Sequence, residues 1–596
     1  MQAAFLIRTL ARRGLLSPGR PDRVARQLNA LRRWGFTLTG EMRSAAARDP
    51  RRVAVIDETR SVTYGELAMN ARRLANGLRA GYGLAEGDRL GLLCRNSVSM
   101  FESMLAAGMI GADVVLVNTG LGPGQLENVL HNQQVSVLIH DDEFFEMVSA
   151  VPPSVARVSA DGDAGRETPT VAGLIERSPD DDGPPPEQTG RTIVLTSGTT
   201  GTPKGARRPI PPSFSPLAAV ISRIPMSVGE RIFIAAPLFH TWGYAGLQIA
   251  LALRATVVLR RRFEPMDTLA AIHEHQCTAL LAVPVMLQRM LDASQGRRIH
   301  TPLRVVATSG SAMPAPVVLR FMDVFGDVLY NLYGSTEASW ASIATPDELR
   351  ADPTCAGRSP VGTKVLILDP NGNPLPPQKV GRIFVGNDML FEGYTDGGNK
   401  EWRNGLIATG DIGRVSPEGL VYVDGREDDM VICGGENVYP SAVENAIAEL
   451  PQVRDVAVVG VPDRVYGQRL AAWIVLYQGE QLDSEGVREY VRRTAARFSV
   501  PRDVHFVAEL PRNATGKIMR RYLAPSAPTS PAPAGPAQAG PAPMRQAPTH
   551  QPPTHQPPTS PRSSYRAPMS PPPRQPDPRS AADSNDVTMH LPRIED

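Results

Sequence analysis

From about residue 50 the chain alternates short apolar runs with longer amphipathic stretches. The runs Arg89–Leu93, Asp113–Val117, Val135–Ile139, Ile193–Leu195, Ile232–Ala235, Thr256–Leu259 and Ala279–Val283 are largely apolar and rich in β-branched residues and leucine. Continuous runs of this kind predict strands buried on both faces, as in parallel sheets. Between them, Tyr64–Ala80 and Met266–His275 place apolar residues at helical spacing. The rhythm predicts α/β layers with largely parallel sheets.

The two ends depart from this rhythm. Residues 1–40 hold eight arginines and one acid, Asp22. Within this arm Val24, Leu28 and Leu31 fall at helical spacing, with Arg23, Arg26, Arg32 and Arg33 around them. The arm reads either as a basic amphipathic helix touching an anionic membrane surface or as an arginine-rich helix packed on the body. It lacks the serine enrichment of a transit peptide, and Ala3–Ile7 is too short for the apolar core of a secretory signal. Residues 152–189, rich in Pro, Asp and Gly, read as a surface loop. Residues 525–596 hold 20 of the 56 prolines and repeat Thr-His-Gln-Pro-Pro from Thr549. Such a tail cannot bury a core; it is expected to be disordered, with polyproline-II character suited to a protein partner.

Composition narrows the field. At 596 residues the chain exceeds one core, so at least two domains are expected. A net charge of +2 argues against a general nucleic-acid binder. The longest apolar candidate, around Gly246–Leu259, is broken by Arg254, so no membrane span is expected. Cys94, Cys277, Cys355 and Cys433 are too scattered for a zinc site or a disulfide framework, which fits a reducing, cytosolic setting. Only five of the 63 basic residues are lysines: Lys204, Lys364, Lys379, Lys400 and Lys517. Where arginine is the default cation, each lysine is a candidate for chemistry.

The strongest local signal is Ile193-Val-Leu-Thr-Ser-Gly-Thr-Thr-Gly-Thr-Pro-Lys-Gly205. A buried run opens into a loop built of Ser, Thr, Gly, Pro and one Lys, which exposes many N–H and hydroxyl donors to a phosphate. It is not a P-loop, because Pro203 stands before Lys204 and the required order is absent. Further motifs follow: Pro237-Leu-Phe-His240, Tyr333-Gly-Ser-Thr-Glu337, Thr409-Gly-Asp411, Gly425-Arg426-Glu-Asp428-Asp429 and Pro511-Arg-Asn-Ala-Thr-Gly-Lys517.

Together these resemble, in order and over roughly residues 45–524, the adenylate-forming superfamily of acyl-CoA synthetases, adenylation domains and luciferases. The resemblance implies a large domain over 41–424 with the ATP and acyl sites, and a small, mobile α/β domain over 425–524. It implies that Thr196, Ser197, Gly198, Thr199, Thr200, Gly201 and Lys204 hold phosphates, with Thr336 as a further donor. Gly310, Ser311, Ala312, Asn331, Tyr333 and Gly334 would frame AMP, with Tyr333 stacked on adenine. Asp411 would accept the ribose hydroxyls, with Arg426 nearby. Glu337 is the expected Mg²⁺ ligand, since Mg²⁺ takes one or two carboxylates plus phosphate oxygens. Lys517 resembles the lysine that bridges the reacting carboxylate and the α-phosphate, a role suited to a compact charge on a flexible stem. Its motif also resembles a site acetylated in several acyl-CoA synthetases.

The acceptor is read from Val431-Ile-Cys-Gly-Gly-Glu-Asn-Val-Tyr-Pro440, which resembles the CoA-ligase form of its motif. Gly434 and Gly435 would line the channel for the pantetheine arm, where glycine permits close approach. Asp428 matches the position about which the small domain rotates. His240 replaces the aspartate with which amino-acid adenylating domains bind an ammonium, so an amino acid is disfavoured. Trp242 and Tyr244 stand as gate residues of an acyl tunnel, and Val283 and Met286 as its lining or as plain core.

The expected activity is therefore an ATP-dependent fatty acid–CoA ligase using ATP, Mg²⁺ and CoA. Three alternatives remain: an aryl- or other carboxylate–CoA ligase, a fatty acyl-AMP ligase loading an acyl carrier protein, and a non-catalytic binding protein on this fold. Glu337 and Asp411 are only 74 positions apart, which leaves little room for the insertion that marks the acyl-AMP ligases.

Overall fold

The structure is a computed structural model, and it describes residues 2–162, 169–183, 185–196, 203–433, 436–463 and 467–523. The apolar runs become the centres of two sheets. A six-stranded sheet has the order Ala156–Ser159, Val137–His140, Arg89–Leu93, Asp113–Leu116, Thr192–Thr196, Lys204–Arg207. Its first five strands are parallel, and the last turns back antiparallel after the glycine-rich loop.

The second sheet has eight strands. From one edge they are Ser342–Ala344, Leu329–Tyr333, Val305–Thr308, Ala279–Ala282, Arg231–Ile234, Thr256–Val258, Val53–Ile56 and Ser61–Thr63. All inner pairings are parallel; only the two edges are antiparallel. Helices Tyr64–Tyr82, Val98–Ile110 and Thr241–Ala252 share one core with strands of both sheets. Outer helices, among them Pro265–Glu274 and Ala315–Phe325, cover the far face of the larger sheet. Burial on both faces is why these strands carry no alternation.

A five-stranded antiparallel sheet follows, formed by Lys364–Leu368, Gly381–Gly386, Trp402–Arg403, Leu406–Val415 and Val421–Arg426. Its last strand runs across position 424, and the next sheet starts only at Val431. That final unit is a smaller α/β layer. Strands Val431–Cys433, Glu436–Val438, Val453–Asp463, Gly467–Leu476 and Asp503–Phe506 pack against helices Pro440–Ala448 and Ser484–Thr494 around their own core.

Several expectations need correction. The stretch 152–189 is not a bare loop: it supplies the strand Ala156–Ser159 and the helix Val171–Arg177. In the arm, helices Gln2–Arg12 and Pro21–Trp34 form, but Leu28 is 61% exposed while Leu31 and Trp34 are buried. The face that packs is thus rotated away from Leu28. The next helix, Leu38–Arg48, crosses the boundary drawn at residue 40 and is mostly buried. Among the described residues no helix is long and apolar enough to cross a membrane. Cys94, Cys277, Cys355 and Cys433 are free thiols. The Pro-rich tail 525–596 lies outside the described residues.

Candidate active site

The carboxyl ends of the parallel strands, the antiparallel sheet and the small domain enclose one cleft of about 1960 Å³. Apart from Tyr244, every described residue that the sequence marks as catalytic, nucleotide-binding, pocket or hinge lines it: Thr196, Lys204, His240, Trp242, Val283, Gly310, Ser311, Ala312, Asn331, Tyr333, Gly334, Thr336, Glu337, Asp411, Arg426, Asp428 and Lys517. Ser197, Gly198, Thr199, Thr200, Gly201, Gly434 and Gly435 lie outside the described residues. Tyr244 does not line the cleft; it is buried, and its hydroxyl accepts from Thr192 Oγ1 at 3.0 Å.

One wall carries a chain of polar groups. Tyr333, ending the strand Leu329–Tyr333, donates its hydroxyl to Asp411 Oδ2 at 2.6 Å. Asp411 Oδ1 accepts from Arg426 Nη1 at 3.4 Å, and Arg426 Nε reaches Asp428 Oδ1 at 3.1 Å. Burial pushes the Asp411 carboxyl up, against the pull of Tyr333, Arg426 and Lys517. Gly334 has no room for a side chain, since a Cβ there would meet Ser339 O at 2.2 Å.

Beside it sits Glu337, whose Oε1 accepts from Tyr394 OH at 2.6 Å. Burial raises this carboxyl, but the Tyr394 bond and the charge of Lys400 more than offset it, so Glu337 stays below its usual range. Lys400, unassigned from the sequence, thus lines the cleft and faces the carboxylate. Lys204 pairs with Asp396 Oδ2 at 3.2 Å and lies over the Tyr394 ring. Three of the five lysines therefore converge here.

Sequence reasoning missed Arg208, which is 4% exposed and supports the Glu337 loop. Its Nη1 donates to Thr336 O, and its Nη2 donates to Ser339 Oγ at 2.7 Å. Ser339 sits at φ 61°, a left-handed conformation that a serine holds only when its surroundings fix it. Burial lowers the Arg208 guanidinium to about 10. Thr336 Oγ1 also meets Thr241 Oγ1 at 2.8 Å, tying the loop to the start of the helix Thr241–Ala252.

His240 caps that helix, and Trp242 N approaches its Nδ1 at 3.5 Å. Burial, reinforced by the Lys517 charge, lowers its imidazole to about 4. A neutral ring thus faces the lysine. Trp242 lines the cleft; its Nε1 donates to Ala282 O at 3.1 Å and the residue is 4% exposed.

Lys517 is delivered by a tight loop. Asn513 Oδ1 accepts from the backbone of Thr515 and Lys517, and Asn513 N donates to Lys517 O at 2.9 Å. Gly516 takes φ +81°, and a Cβ there would lie 2.4 Å from Val285 Cγ1, so the loop seats against the large domain only with glycine. Arg454 reaches Asp292 Oδ2 at 2.9 Å from the small domain and fastens the same face.

Helices Ser215–Arg223 and Thr241–Ala252 add an apolar part to the lining of the cleft, with Leu217, Val220, Ala245 and Ile249, and Phe214 stands just before the first of them. The cleft reaches Phe36, Thr37 and Glu41 from the N-terminal region. Glu41 is 8% exposed, and burial raises its carboxyl to about 8 despite the charge of Arg254. The folded chain therefore keeps a proton that the unfolded chain loses near 4.5. Stability is highest with respect to this group below that value and falls as pH rises through about 8. Glu41→Gln should remove this slope: in urea melts the variant gains a few kcal/mol on the wild type between about pH 5 and about pH 8. An unchanged slope would place the titration elsewhere.

The site is that of an AMP-binding enzyme. That family matches residues 42–395, and its C-terminal domain matches residues 442–517. The chain belongs to this family, within the adenylate-forming superfamily whose motifs it carries, and is an enzyme of the acid–thiol ligase class. A putative acyl–CoA ligase of Bacillus subtilis is 31% identical over 488 residues, covering 79% of this chain and 95% of that protein. A feruloyl-CoA synthase of an Amycolatopsis species is 32% identical over 485 residues, covering 80% and 96%. Among solved structures, the Bacillus subtilis o-succinylbenzoate CoA synthetase with its acyl-adenylate intermediate is 26% identical. It superposes with a TM-score of 0.71, covering 81% of this chain and 97% of that one.

Proposed function

We propose that the protein joins an elongated aliphatic acid, a medium- or long-chain fatty acid, to CoA at the expense of ATP. The observation that carries the substrate class is the apolar part of the cleft lining that helices Ser215–Arg223 and Thr241–Ala252 supply: Leu217, Val220, Ala245 and Ile249. An aryl acid is the second reading, favoured by relatives such as feruloyl-CoA synthase.

Tyr333, Asp411 and Arg426 hold the nucleoside, and Lys204 and Thr336 hold phosphates. Glu337, an ionised and cleft-facing carboxylate, fits a divalent cation of the kind that accompanies ATP. Bound there, Mg²⁺ would neutralise charge on the phosphates. The acid lies with its carboxylate beside His240, whose neutral ring adds no competing cation. Lys517 draws the carboxylate and the α-phosphate together. A carboxylate oxygen attacks the α-phosphorus, the bond to the β-phosphate breaks, and pyrophosphate leaves. The small domain then turns about Asp428, removes Lys517 and presents the Gly434–Gly435 segment. The CoA thiolate attacks the acyl carbonyl and AMP leaves.

The test is acid preference over straight-chain acids from acetate to stearate plus cinnamic and benzoic acids, read as AMP and thioester formed. The highest kcat/KM is expected for a medium- or long-chain acid. A maximum on the aromatic acids would favour the second reading.

A further inference from the structure

The helix Pro284–Ser294 follows the central strand Ala279–Ala282, and its first residues line the cleft. Three of its side chains meet the small domain: Val285, Gln288 and Asp292. Spacings of three and four put them on one face. Val285 backs Gly516 in the loop that carries Lys517. Gln288 Nε2 donates to Tyr477 Oη at 3.4 Å, just past the strand Gly467–Leu476. Asp292 Oδ2 accepts from Arg454 Nε at 3.0 Å, in the strand Val453–Asp463. These two contacts are joined on both sides. Gln288 Nε2 also donates to Asp292 Oδ1 at 3.1 Å, and the two small-domain strands pair Val453 with Leu476. From the helix Ala315–Phe325, Arg320 lies over the Tyr477 ring at 5.2 Å.

We infer that Gln288 and Asp292 are positioning residues for adenylation: with Tyr477 and Arg454 they form a latch that holds the small domain where it delivers Lys517. The inference rests on the two half-reactions proposed above and deepens them by naming what holds the domain for the first. Every partner lies on the domain that carries Lys517, so every contact breaks when that domain turns away for the thioester step. Contacts made in one orientation alone shift the balance between orientations by their own worth. Here that worth is small. Arg454 and Asp292 are both partly exposed, and such a pair moves an equilibrium by up to about fivefold. The latch therefore biases the domain toward adenylation without trapping it. An enzyme that uses both orientations in each cycle keeps them near balance, so a bias of this size reaches the rate.

The experiment reads the half-reactions separately on the full-length protein: exchange of pyrophosphate into ATP, and acyl-CoA formed from a supplied acyl-adenylate. Both use whichever of dodecanoate, cinnamate and benzoate gives the wild type its fastest exchange. Asp292→Arg sets a like charge against Arg454 and should slow exchange by about tenfold, with acyl-CoA formation unchanged or faster. Arg454→Asp should act the same way. The charge swap, Asp292→Arg together with Arg454→Asp, should bring exchange back to within about threefold of wild type. Asp292→Asn keeps the shape and removes the charge; it should cost exchange about threefold and serves where Asp292→Arg fails to fold. Equal losses in both half-reactions, unchanged exchange in the single variants, or no recovery in the swap overturns the latch and leaves adenylation standing. No exchange by the wild type with any of the three acids overturns adenylation itself, and the latch with it.

Discussion

Lys517→Ala should lower acid-dependent exchange of pyrophosphate into ATP by about a hundred- to a thousand-fold. That is the size of effect seen when one preorganised group that stabilises transition-state charge is removed. In the fold the charge of this lysine bears on both His240 and Asp411. Its loop is held by Asn513 and seated through Gly516 against Val285. Thioester formation from a supplied acyl-adenylate should fall far less, because that step is assigned to the other face of the small domain. Equal losses in both half-reactions would mean that the variant damages the fold rather than the adenylation step.

Glu337→Gln should cost the adenylation step about a hundredfold, with a raised Mg²⁺ requirement. The substitution keeps the shape and the Tyr394 contact but removes the negative charge that the site holds ionised. Titrating Mg²⁺ at fixed ATP checks it. Normal activation by Mg²⁺ would take the cation away from Glu337.

The central strands were legible because burial on both faces leaves a continuous apolar run, as at Arg89–Leu93 and Ala279–Ala282. Ala156–Ser159 was not, since four residues with an arginine among them are lost between proline- and glycine-rich flanks. Leu28 misled because helical spacing gives a face but not which side of the arc packs. In the site, the motif residues could be read in order, and Lys400 carried a usable signal in the scarcity of lysine. Arg208 carried none, because one more arginine in an arginine-rich chain has no contrast. Glu41 was equally silent: its place is made by helices distant in sequence, which meet only in the fold.

The most direct test of the central claim is a single incubation of the protein with ATP, Mg²⁺, CoA and a medium-chain fatty acid, with AMP and acyl-CoA quantified together. A fatty acid–CoA ligase should form one acyl-CoA per AMP released, with no acyl-adenylate left over. Accumulation of acyl-adenylate without thioester would point instead to an acyl carrier protein as acceptor, and no AMP at all would contradict adenylation itself.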